Sequence, residues 1–322
     1  MKLNRKNPKK HSNISNVQLV ILAAGHGKRF GGLKQITPVG PHGEAIMDFT
    51  ATRAEESGFD GIVVVIRDEI RHEIVSHVKQ KWPGTLPVAF VSQSKRPGTA
   101  EALNAARPAL DGAFGVANAD DLYSVNALKA VVDYFRPSPQ LLKKASTQSR
   151  ELHWDSSGSG KHLLVAHHLT QTILTNHVVT RGICEVSDSK LVKIVEHLIK
   201  LRPDGFFDAS ELGTGHIPQD DPKRKWRKLT GREPVSMNLW GFSLEIVDFV
   251  AEQLARFDFG DLSKREPLVP DIVASLIAKE GHCVDVVDVA DRCIGLTHPS
   301  DAVIVKEEIA SQLIPEQTGE FE

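Results

Sequence analysis

The chain has 322 residues, 25% of them charged and 41% apolar, with a formal net charge of −2 and three cysteines. That balance excludes a disordered polymer and a basic nucleic-acid field. Scattered Cys184, Cys283 and Cys293, with no CxxC, exclude a disulfide framework and a cysteine zinc site. No apolar run reaches the ~18 residues that cross a bilayer, so no membrane partner is expected. Residues 1–16 carry Lys2, Arg5, Lys6, Lys9 and Lys10, no acid and no apolar signal core. They read as a disordered basic tail on a cytoplasmic protein.

Ordered structure is expected from Val17. VQLVILAAG is an apolar run ending in glycine, a buried strand entering a loop. A helix follows over 44–57, stopped by Gly58 in a C-cap position. GIVVVIR (61–67) is a second buried strand. Asp68 caps a helix whose Ile70, Ile74, Val75 and Val78 share a face. Strand 86–93, helix 99–110, strand 112–118 and helix 125–136 continue the alternation, which means a parallel sheet with helices on both faces. After Pro137 the rhythm changes. Polar stretches 137–160 and 203–233 read as insertions. Strands are expected at 162–169, 179–186, 190–197, 234–242 and 283–289, and helices at 243–256, 268–280 and 299–313. The fold class is therefore α/β: a Rossmann-like, mixed but mostly parallel sheet with helices on both faces, plus a β-rich lid. One domain spans 17–314, with a first half at 17–136, a second half at 137–314 and a tail at 315–322.

The densest chemical signal is LAAGHGKRFGGLKQ, Leu22 to Gln35, at the carboxyl end of the first strand, where doubly wound sheets bind ligands. Gly25, Gly27, Gly31 and Gly32 let backbone N–H groups approach an anion. Lys28, Arg29 and Lys34 add three cations, a set suited to a triphosphate and its leaving pyrophosphate. Neither the Walker A spacing nor GxGxxG is present.

This run resembles the signature loop of the sugar-1-phosphate nucleotidyltransferases (nucleotide-sugar pyrophosphorylases), and the resemblance extends over about residues 17–310. It implies a glycosyltransferase-A-type mixed sheet, an NTP (UTP or dTTP first) and a sugar 1-phosphate as substrates, Mg²⁺ as cofactor, and a possible homo-oligomer. It implies Arg29 and Lys34 as catalytic cations, with Leu22, Ala23, Ala24, Gly25, Gly27 and Lys28 on the nucleotide. In QSKRPGTAEAL it implies Gln93, Gly98 and Thr99 at the base. An amide side chain pairs with a base edge on its own chemistry too, and the plainer reading is a Thr-capped helix. In NADD it implies Asp120 as a Mg²⁺ ligand, with Asp121 beside it. Such an ion needs few protein carboxylates, and the plainer reading is a helix N-cap.

On the acceptor side the resemblance implies Gly182, Glu196, Asn238 and Trp240. Core filling is the alternative for Trp240. Two departures stand out. His197 occupies the place of a lysine on the acceptor phosphate, with Lys200 and Arg181 as substitutes. Gly295 in RCIGLTHPSD occupies the place of a second metal carboxylate, which leaves Asn238, Asp288 or water to complete the shell. These departures leave room for a cyclitol phosphate or phosphocholine as acceptor, or for a non-catalytic nucleotide-sugar regulator. Strand alternation separates His167 from His162 and His168, so the three are read as satisfied or exposed rather than metal-binding. Phe206 and Phe207 are read as lid packing.

Overall fold

A computed structural model describes residues 16–25, 30, 32–82, 84–137, 160–173, 177–213, 221, 223–260, 266–279 and 282–313. The tails, Gly27, Lys28, Arg29, Gly31 and most of insertion 137–160 lie outside the described residues.

In the first half β1 (Val17–Leu22), β2 (Gly61–Ile66), β3 (Val88–Ser92) and β4 (Ala113–Asn118) pair in parallel in the order β4-β1-β2-β3. Side chains of β1 alternate between two cores. Val20 and Leu22 join one, while Val17, Leu19 and Ile21 join the other. The strand reads as one apolar run because both faces are covered. Helices α1 (Ile46–Ser57), α2 (Arg71–Lys81) and α4 (Val125–Phe135) cover one face. Helix α3 (Thr99–Ala106) covers the other, with α5 (Ile246–Arg256) and α6 (Val269–Ile277). Local chemistry sets the helix ends. Asp48 Oδ2 accepts the Ala45 N–H at 2.7 Å and Ser124 Oγ accepts Ala127 N–H at 3.0 Å. Gly58 ends α1 at φ 87°, a conformation glycine adopts without a Cβ penalty.

The second half corrects the mostly parallel expectation. Strands β6 (His162–His168), β7 (Val179–Ser187), β8 (Lys190–Leu201), β9 (Phe207–Glu211), β10 (Arg227–Leu229), β11 (Pro234–Phe242) and β12 (Asp285–Val289) extend the same sheet. Only β6–β12 is parallel among them, and β11 runs antiparallel to β4, β6 and β7. Strands β9 and β10 lie inside the stretch 203–233 that the sequence marks as an insertion. With β7 and β8 they curl over a separate small core of Ile183, Ile199, Phe207, Ala209 and Leu229. Phe207 packs there, while Phe206 stays 38% exposed under Lys228 Nζ. A two-stranded pair, β5 (Asp121–Leu122) and β13 (Ile294–Gly295), ties the end of β4 to α7 (Asp301–Leu313).

The histidines also need correction. His168 is exposed, but His162 and His167 are buried, and His162 Nδ1 and His167 Nε2 have no hydrogen-bond partner among the described residues. Burial against Phe242 pushes His162 down to about 4. Both are buried core residues, and His167 keeps one partner, Nδ1 lying 3.1 Å from Asp291 O.

Candidate active site

A cleft of about 970 Å³ opens at the carboxyl ends of β1, β2 and β4. Its walls include Leu22, Ala24, Gly25, Lys34, Gln93, Gly98, Thr99 and Asp120, which the sequence had placed on a nucleotide and its metal, together with Gln35, Arg67, Asn118 and Glu266.

The loop after β1 is held by side chains rather than by repetitive structure. Buried Gln35 donates its amide hydrogens to Ala23 O (2.9 Å) and Gly25 O (2.8 Å), and Arg67 Nε donates to Ala24 O (2.7 Å). Three successive carbonyls are thereby fixed, so the peptide planes between them are fixed as well. Ala23 is corrected from a ligand residue to a structural one. Its side chain enters the core behind the sheet, its carbonyl takes Gln35, and its N–H goes to Val65 O at 2.8 Å.

Lys34 and Asp120 form an ion pair, each side chain 20% exposed. The Gln93–Gly98 loop is equally built. Gln93 Nε2 reaches Arg96 O (2.9 Å) and Gly98 O (3.1 Å), so both amide hydrogens are used and Oε1 remains as an acceptor. Gly98 sits at φ 107°, and a Cβ there would collide with Pro267 O. Glycine is required where that loop crosses α3. Thr99 Oγ1 accepts Val269 N–H at 2.9 Å, so it anchors α6.

Behind the cleft runs a directed chain of hydrogen bonds. Trp240 Nε1 donates to Asn238 Oδ1 (2.8 Å), Asn238 Nδ2 to Asn118 Oδ1 (2.8 Å), and Asn118 Nδ2 to Asp121 Oδ2 (2.7 Å). An indole N–H only donates and a carboxylate only accepts, so both amide orientations are dictated from the ends. Asn238 lies at φ 60°, where the β11 register shifts between Ser236 and Trp240. An asparagine tolerates this left-handed geometry, which turns the amide out of the pleat. Two expectations change. Trp240 is fully buried and stacked on Phe242, so it has no surface for an acceptor. Asn238 gives one lone pair of its oxygen to Trp240, so only the other would serve a metal.

Asp121 is buried. Desolvation, then the neighbouring Asp120 carboxylate, pushes its carboxyl up to about 6. Gly295 lies against it, and a Cβ there would fall on Asp121 Oδ1. The missing second acid is thus explained by space: Asp121 fills the volume that a side chain at 295 would need. Asp121 itself is not part of the cleft wall and acts as a buttress behind Asp120.

On the acceptor side, Glu196 lies across from Gly182, whose Cβ would stand 3.3 Å from Glu196 Oε1. Alternation along β8 puts Glu196 on the face of Ile194, shared with Leu22 and Ala24. His197 takes the opposite face, buried, with Nδ1 on Val195 O (2.7 Å) and Nε2 3.4 Å from Arg227. It cannot reach the same ligand as Glu196. Arg181 is turned inward onto Thr172 O (2.6 Å), Thr172 Oγ1 and Thr180 O, and Lys200 is exposed.

Among the described residues no three His, Cys, Asp or Glu side chains converge to hold a metal. No helix there is long and apolar enough to cross a membrane. The sequence signals for Gln35 and Arg67 were faint, since a glutamine closing the loop and one arginine at a strand end form no pattern.

Residues 19–174 match the family model of the MobA-like NTP transferase domain. Among the solved structures that share the fold are the following two. The inositol-1-phosphate CTP transferase of T. maritima superposes with a TM-score of 0.57 at 13% identity, over 92% of this chain and 97% of that one. A putative glucose-1-phosphate thymidylyltransferase of Bacillus anthracis, solved with sucrose, gives 0.58 at 11% identity, over 91% and 95%. No functionally curated protein matches the sequence.

Proposed function

We propose that this protein moves a nucleotidyl group from an NTP to the phosphate of a sugar 1-phosphate or a cyclitol phosphate, releasing pyrophosphate. The observation that carries the reading is the convergence, in one cleft, of the pinned loop after β1, Lys34, Asp120 and the Gln93–Gly98 base loop. Both structural neighbours bear names of nucleotidyltransferases, one for inositol 1-phosphate and one for glucose 1-phosphate.

An acceptor phosphate oxygen, already anionic at neutral pH, attacks the α-phosphorus in line, so no general base is needed. The protein's work is positioning and charge neutralisation. Lys34 exchanges Asp120 for the departing pyrophosphate oxygens. Gln93 offers its carbonyl to a base N–H, which suits uracil or thymine N3–H. Glu196 accepts from acceptor hydroxyls. Mg²⁺ fits Asp120, since one part-exposed carboxylate suits an ion that keeps waters and takes phosphate oxygens. When bound, it would neutralise phosphate charge. A non-catalytic regulator is disfavoured because the absent acid at 295 reflects Asp121 filling that space.

Lys34→Ala is expected to lower turnover by at least ~10²-fold, the scale of losing one charge-stabilising donor. Turnover within twofold of the parent would remove Lys34 from the chemistry.

A further inference from the structure

We infer that Arg67, outside the glycine-rich loop, is a second cation for the nucleotide's polyphosphate. The inference rests on the nucleotidyltransferase reading of the same cleft and adds a ligand that the loop motif does not contain.

Arg67 is the first residue beyond β2, in extended backbone (φ −94°, ψ 150°), where the strand opens onto the cleft. Its side chain is only 16% exposed. Nε is spent on Ala24 O at 2.7 Å, which fixes the guanidinium plane against the end of β1. Among the described residues, what remains of the fork has one weak counter-charge: NH1 stands 4.0 Å from Glu69 Oε2, and Glu69 is 66% exposed. An exposed carboxylate at that distance is screened and easily displaced. Charges this buried are ordinarily paired; of the other described cations lining the cleft, Lys34 already holds Asp120 and Arg96 lies over the Phe259 ring, with Lys95 beside it in sequence. Arg67 is thus a preorganised, under-neutralised donor beside Gly25 and Lys34. Its planar fork suits phosphate oxygens, and one atom of that fork sets the loop while the others face the ligand. A lysine has donors for both but no planar fork to hold them in fixed directions.

The test is calorimetric binding of inorganic tripolyphosphate, a probe with no base or sugar, to the full chain. Parent protein is expected to bind it. Arg67→Met should weaken binding at least tenfold, and Arg67→Lys should recover only part of the loss. Glu69→Gln, which removes the competing carboxylate and leaves the loop bond intact, should tighten binding about two- to threefold. A purely structural Arg67 would not respond to Glu69, so unchanged affinity in Glu69→Gln overturns the inference even if Arg67→Met folds poorly. Tripolyphosphate affinity within twofold of the parent in Arg67→Met overturns it too. If the parent binds NTPs but not tripolyphosphate, this inference fails alone. If it binds neither, the nucleotidyltransferase reading fails with it.

Discussion

Gly295→Ala is the sharpest perturbation available, because a single methyl group meets a single oxygen. A Cβ at 295 would approach Asp121 Oδ1 closer than the 3.0 Å that real Cβ atoms keep, with Asp120 O at 3.9 Å. The contact is to the end of a side chain, which often yields cheaply. Here it does not, because Asp121 is buried and its other oxygen is held by Asn118 at 2.7 Å, with Asn238 and Trp240 behind. Overpacking of this kind costs about 1–3 kcal/mol. For a domain of this size that is roughly 2–5 °C in the melting temperature. Thermal denaturation followed by circular dichroism reads it directly, with Gly32→Ala as control, since a Cβ at 32 meets nothing within 4 Å. Turnover should fall as well, because Asp120 adjoins the displaced carboxylate. A Gly295→Ala melting temperature within 1 °C of the parent would refute the claim that Asp121 fills this space.

Asp121→Asn should raise stability most above pH 6. A carboxyl raised from 3.8 to about 6 is destabilising once ionised, by roughly 3 kcal/mol, and the penalty grows as pH climbs between those values. Melts at pH 5 and 7.5 should show the variant's advantage widening, and an equal offset at both would contradict the burial argument. His162→Leu works in the opposite direction. The native imidazole titrates near 4 and the unfolded one near 6.5, so the parent loses stability as pH falls through that window, and the variant should be flatter there. A variant as acid-sensitive as the parent would clear His162 of that role. Gln93→Ala should raise the KM for NTP and blur base choice in steady-state kinetics. Unchanged base preference would show that the base is read elsewhere.

The parallel half was legible because its strands are covered on both faces and announce themselves as unbroken apolar runs. The loop after β1 stood out for a related reason, since a strand end rich in glycine and cations has few uses. Strands β9 and β10 escaped notice because they are short and polar on one side, and β10 (Arg227–Leu229) buries only Leu229. Such strands exist through pairing with distant partners, which no local period records. The antiparallel direction of β11 is likewise a matter of long-range register. Trp240 and Asn238 were picked out by residue type, yet their roles depend on a bulge that turns one amide toward Asn118. Gly295 looked like a lost acid in the sequence; only the packing shows Asp121 occupying the space. Arg67 carried no signal because its importance lies in one hydrogen bond to Ala24 O across two strands.

The most direct test of the account is pyrophosphate release in the presence of Mg²⁺, with ATP, GTP, CTP, UTP and dTTP each set against a panel of sugar 1-phosphates and cyclitol phosphates. The account predicts release that depends on both partners and is strong for one pairing, lost in Lys34→Ala. Silence across the whole matrix, with NTP still bound in the cleft, would contradict it.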